Sequence, residues 1–155
     1  MQVIAYRANG STSNIERVFL YKDSGATSGT EGDPVTGLTN LTTGLVIGTV
    51  ANNESLTKAY AVSGSDIETI ATLGTYAAPT TDKIRFKEVD STYHPGLYEL
   101  QLENSRYSVS TAKYLDICIQ CAAQDVAPAH FRVYLDVVDE GGIRDAVGLA
   151  SANLD

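Results

Sequence analysis

Two cysteines, two histidines and a handful of acidic side chains are the residues of this chain with chemistry to offer. Cys118 and Cys121 form a C-x-x-C string, half of a zinc or dithiol motif, with no second pair to complete it. Three residues apart on an extended strand, the two thiols project from opposite faces and can neither hold one metal ion nor bond each other. The plainer reading puts Cys121 in a core and leaves Cys118 as a small residue on an outer face. His94 precedes a proline in a turn, and His130 stands beside Phe131 at the start of a strand. Nucleophilic catalysis needs one of them against a Ser or Cys and oriented by a carboxylate, and neither a G-x-S-x-G elbow nor a histidine pair at metal spacing is present in the sequence. Asp116 and Asp136, outward on successive strands, would be the carboxylate pair for acid-base work. Solvated charges balanced by Lys113 and Arg132 are the plainer reading, since outward acids on a sheet are commonplace. Asp23, Glu31 and Asp33 lack the spacing of a calcium loop. No catalytic, cofactor-binding or metal-ligating residue is assigned, and the expectation is a protein that is not an enzyme and carries no cofactor.

The elements that must position these side chains are strands. In residues 113–121, Leu115, Ile117, Ile119 and Cys121 point one way, and Tyr114, Asp116, Cys118 and Gln120 the other. Phe131, Val133, Leu135 and Val137 repeat the alternation, as do Tyr98, Leu100 and Leu102. Period-two runs give one dry and one wet face each, the pattern of antiparallel sheets closing over a shared core. Further strands are expected at residues 2–8, about 17–22, 45–50, 57–62, 83–89 and 97–103. Between them lie the turn cluster 9–14, the long Gly-rich loop 23–34, the turn 52–54 and a tight turn at 93–96. Residues 66–73 read as two helical turns capped by Ser65, with a strand as the alternative. Seven or eight short strands fit an all-β, immunoglobulin-like antiparallel β-sandwich over residues 1–139, followed by a short C-terminal helix over residues 140–155.

Composition narrows the class further. The chain has 155 residues, 43% hydrophobic and 19% charged, enough to bury a core without a staple. Eleven basic against nineteen acidic residues give a net charge of −8, which repels a phosphate backbone and an anionic membrane alike. Nucleic acid and membrane insertion are therefore not expected. No apolar run approaches the roughly 20 residues that span a bilayer, and residues 1–7 lack a basic-then-apolar signal pattern. Synthesis in a cytoplasm is the expectation.

Beyond Val138 the period changes. Glu140-Gly141-Gly142 breaks the last strand, and Ile143, Val147, Ala150 and Leu154 follow at spacings of four, three and four, an a/d seam of fewer than two heptads. A helix this short is marginal alone, and Gly148 costs it about 1 kcal/mol relative to alanine. It needs a partner surface: either its own sandwich or copies of itself, in which case these four residues form an oligomer interface.

Tyr114 and Tyr134 alternate onto the outward faces of their strands, where aromatic rings serve a binding surface or simply fit a pleated sheet. The occupant would be a neighbouring subunit or, for a carbohydrate-binding or adhesion module, a glycan.

One resemblance goes further. A strand ending at Tyr21-Lys22-Asp23, a Gly/Thr/Ser loop, then residues 33–45 (DPVTGLTNLTTGL), Phe86-Lys87-Glu88-Val89-Asp90 and residues 95–102 (PGLYELQL) together resemble small structural proteins of tailed bacteriophages. Head-fibre or decoration proteins and the N-terminal domain of baseplate upper proteins are the nearest analogues. The resemblance implies a virion location, docking on capsid, tail or baseplate proteins, and a helical stalk that is often trimeric.

Overall fold

The computed structural model describes residues 1–23 and 30–135. Among these residues nine strands form two sheets: β1 (Gln2–Tyr6), β2 (Glu16–Phe19), β3 (Val46–Ala51), β4 (Lys58–Ala61), β5 (Ile67–Glu68), β6 (Ile84–Asp90), β7 (His94–Gln101), β8 (Tyr114–Cys121) and β9 (Val126–Tyr134). One sheet has the order β1-β9-β8-β3-β4 and the other β2-β7-β6-β5. The all-β, two-sheet expectation is therefore met. Most ladders are antiparallel, but β1 runs parallel to β9 and β5 parallel to β6. Both parallel pairs involve a sheet edge, reached across the molecule instead of through a hairpin.

Alternation dictates the core. Leu115, Ile117, Ile119 and Cys121 of β8 face Ile47 and Thr49 of β3 and Phe131 and Val133 of β9 in one layer. Val18, Phe86, Tyr98 and Leu100 supply the opposite layer, and all of these side chains are buried. Phe86 and Tyr98 stack in parallel, centroids 4.8 Å apart. Between β2 and β3, the segment 33–45 lowers Val35, Leu38 and Leu45 into the core. Tyr98 holds it there: its hydroxyl donates to the Val35 carbonyl (2.9 Å) and accepts from the Leu38 N–H (3.2 Å). Burial pushes this phenol up to about 12. Tyr98→Phe strands both backbone groups out of contact with water, so its expected cost is about 2 kcal/mol. The thermal midpoint should fall by about 4–8 °C in calorimetry. An unchanged midpoint would show that the segment is held by its apolar side chains alone.

Gly96 explains how that segment packs so closely. It has φ +81°, and a Cβ on it would stand 2.8 Å from the Pro34 Cβ and 3.0 Å from the Leu20 carbonyl oxygen. The turn before it lies three residues earlier than expected, at 90–93 and not 93–96. Asp90 Oδ1 accepts from the Thr92 and Tyr93 N–H groups, and β7 already begins at His94.

The helix expected at 66–73 does not form. Ser65 adopts a left-handed conformation, φ 59°, where a helix N-cap is extended, and Asp66 turns back to accept the Ala61 N–H. Ile67 then pairs with Ile84 of β6, and a strand of two residues replaces the helix. Burial of Ile67 and Ile70 in the sandwich outweighed a local propensity that was nearly balanced.

Residues 69–83, with no regular secondary structure, lie over the outward side of β7. Glu99 and Gln101 project outward from β7 yet are fully buried. Both oxygens of Glu99 accept from the Gly74 N–H (3.1 and 3.0 Å), and Gln101 accepts from Ala77 N–H while donating to the Thr75 carbonyl. The outer side of β7 is thereby covered at Glu99 and Gln101 by the chain's own backbone.

Candidate docking face and aromatic cluster

The five-stranded sheet differs. Its outward residues are Val3 and Tyr6 on β1, His130, Arg132 and Tyr134 on β9, Tyr114, Asp116, Cys118 and Gln120 on β8, Val46, Gly48 and Val50 on β3, and Ala59 and Ala61 on β4. All are partly or fully exposed, and among the described residues no segment is hydrogen-bonded across them as 69–83 is across β7. The only formal charges in this set are Asp116 and Arg132, which cancel in a two-pronged ion pair of 2.7 and 2.9 Å. The balancing role expected for Arg132 is thus met. Asp136, the other half of the carboxylate pair considered from the sequence, lies outside the described residues. In a chain of net charge −8, a broad sheet face with no net formal charge is unusual surface. Charge-depleted centres with aromatic residues and Arg are the composition of protein interfaces.

At one end of this face the rings collect. Tyr6 and Tyr134, register partners across the parallel pair, stack with centroids 5.3 Å apart and planes 11° apart. Tyr114 meets Tyr134 edge-on at 6.2 Å. The Arg132 guanidinium lies 3.7 Å from the Tyr114 centroid, and its hydrogen bonds to Asp116 raise its pKa, so it stays charged. The structure thus brings together both aromatic residues singled out from the sequence. It adds Tyr6, which the sequence reading missed because pairing between the first and last strands leaves no local signal, and it sets Arg132, read from the sequence only as a balancing charge, against the Tyr114 ring.

Towards the middle of the face, Gly48 has no side chain, and the gap becomes a cavity of about 240 Å³ between Val50, Thr57, Cys118 and His130. A Cβ on Gly48 would come within 3.2 Å of the Thr57 methyl. Cys118 and His130 are register partners, with Sγ 3.9 Å from Nε2. This pairing also escaped the sequence, since a bulge between Ile119 and Cys121 offsets the hairpin by one residue. It supplies the thiol and imidazole of a cysteine nucleophile, but burial pushes the Cys118 thiol up, away from the thiolate form. The nearby carboxylate, Asp116, is spent on Arg132. Cys121 is buried and free, as expected, and His94 lies on the other sheet at the start of β7.

A second, open cleft of about 390 Å³ is lined by Asp23, Gly44, Gln120, Asp125 and Pro128. Among the described residues no group of three or more His, Cys, Asp or Glu side chains is placed to hold a metal ion, and no helix is long and apolar enough to cross a membrane. Ile143, Val147, Ala150 and Leu154 lie outside the described residues. Comparison with protein-family models, with curated proteins and with solved structures finds no match to this chain.

Proposed function

We propose that this chain is a non-enzymatic structural module of a bacteriophage virion, a head-fibre or decoration protein or a tail or baseplate attachment module. It grips a larger protein surface through the outer face of its five-stranded sheet. The observation that carries the gripping role is the contrast between the two sheets: residues 69–83 cover the outer side of β7 at Glu99 and Gln101, while among the described residues nothing is bonded across the charge-balanced outer face of the five-stranded sheet. The virion itself is argued from the resemblance of residues 33–45 and 95–102 to phage structural proteins. Strand order supports the immunoglobulin-like reading: β2-β7-β6 and β9-β8-β3 follow the order of the B-E-D and G-F-C strands, with β4 in the place of C′.

A protein partner accounts for the aromatic cluster better than a glycan does. Sugar binding needs open ring faces, and Arg132 covers one face of Tyr114 while Tyr6 and Tyr134 cover each other. Electron microscopy of the assembly purified through a tag on this chain tests the proposal. The open face should be seated against a neighbouring subunit, and a particle in which that face looks into solvent would remove the reading.

Self-association through Ile143, Val147, Ala150 and Leu154, as a trimer, completes the proposal. Val147→Asp places a charge in that seam and should weaken association at least about 100-fold. Sedimentation equilibrium would then show a monomer where the parent shows an oligomer; a monomeric parent would end the seam.

A further inference from the structure

We infer that the cluster of Tyr6, Tyr114, Tyr134 and Arg132 is the contact by which one sandwich meets the sandwich of a second copy of this chain. The inference rests on the self-association proposed above and adds where the folded domains touch.

The path of the chain is the first argument. Tyr134 ends β9 inside the cluster, its carbonyl accepting from the Arg7 N–H at 2.7 Å, and the Leu135 N–H donates to the Lys113 carbonyl at 2.8 Å. The backbone is therefore anchored at the cluster up to residue 135. The seam begins at Ile143, eight residues on, a reach of at most about 28 Å even fully extended. Copies joined through residues 143–154 must hold these clusters near one another, so even a weak contact is made at high effective concentration.

Charge is the second argument. Two copies of a −8 chain repel, and a homotypic contact needs surface without net acid. The cluster qualifies: β1 (Gln2–Tyr6) carries no charged residue, and Arg132 is neutralised by Asp116. Third, the surface is prepared for binding. Tyr6 is 73% exposed, yet it is stacked on Tyr134, and Arg132 is held 3.7 Å from the Tyr114 ring centroid by two hydrogen bonds to Asp116. Rings and a guanidinium already ordered lose little freedom when covered, and tyrosine and arginine dominate interface energetics.

The test uses the full chain. Tyr6→Ser should weaken self-association about tenfold in sedimentation equilibrium, with the thermal midpoint kept within about 2 °C. In a Cys118→Ser background, Tyr6→Cys should form an interchain disulfide under mild oxidation, whereas Tyr93→Cys, in the exposed turn before β7, should not. An oligomer indifferent to Tyr6→Ser, or equal cross-linking at both positions, overturns the inference and leaves the seam standing. A monomeric parent overturns the self-association beneath it. Protection of Tyr6 only in the whole particle, and not in the purified oligomer, gives the cluster to a different protein and also overturns the inference.

Discussion

Glu99→Ala is expected to destabilise the protein by about 3 kcal/mol, roughly 10 °C in thermal midpoint, the largest effect of any outward-facing residue. Glu99 is fully buried, and its carboxylate accepts from the Gly74 N–H at both oxygens and from Gln101 Nε2 at 3.0 Å. Truncation leaves those donors buried without a charged acceptor, and each loses more than the net worth of one hydrogen bond. The contact with Arg17, at 3.4 Å, adds little, because the Arg17 side chain is half exposed and screened by water. Glu99→Gln, which keeps one acceptor oxygen, should cost about 1 kcal/mol. Hydrogen exchange gives a local readout. The Gly74 and Ala77 amides should exchange faster in Glu99→Ala, with β8 amides unchanged at the same stability. Unaltered protection at Gly74 would mean that residues 69–83 are not sealed through Glu99, and the contrast between the two outer faces would lose its physical basis.

Cys118→Arg should do the reverse, sparing the fold and disabling attachment. Cys118 projects outward from the middle of β8, beside the notch left by Gly48, with its thiol 3.9 Å from His130 Nε2. A surface substitution of this kind is worth within about 0.5 kcal/mol, so the thermal midpoint should move by no more than roughly 2 °C. On the assembly, the new guanidinium would be buried in a seated face with no acid prepared for it, since Asp116 is already paired with Arg132. A buried unpaired charge at an interface costs about 2–3 kcal/mol or more, roughly 30- to 150-fold in affinity. On the proposed virion role, the copy number of the variant per purified particle, counted by mass spectrometry against the parent, measures this directly. Normal occupancy with Arg at 118 would exclude the five-stranded face as the gripping surface. The two substitutions form a pair: one perturbs the sheet sealed by its own loop without changing the open face, the other changes the open face without perturbing the fold.

Much of the sandwich was legible because burial on a sheet has a period of two. Leu115, Ile117, Ile119 and Cys121 could be assigned inward from their spacing alone, and all four are buried. The same arithmetic turned Tyr114, Asp116 and Cys118 outward and kept the two thiols apart. Residues 66–73 defeated it. Two isoleucines three apart suit a helix and a short strand followed by a loop equally well; burial of both in the sandwich decided between them, with the Ala61 N–H bond to Asp66 turning the chain into the strand. Such a bond belongs to the folded chain and has no periodic trace.

Alternation within each strand, the absence of a complete catalytic or metal motif, the acidic balance and the 143–154 heptad pattern are properties of the sequence alone. Tertiary structure decided which outward residues were covered among the described residues. Outward Glu99 and outward Asp116 look alike along the chain; one was covered because residues 69–83 offered the Gly74 N–H to a carboxylate, and the other met a cross-strand arginine. It also decided that Tyr6 should join Tyr134, 128 positions further along, because the first strand closes the sheet against the last. Local physics sets which way each side chain points. Only the pairing of distant strands sets what it points at.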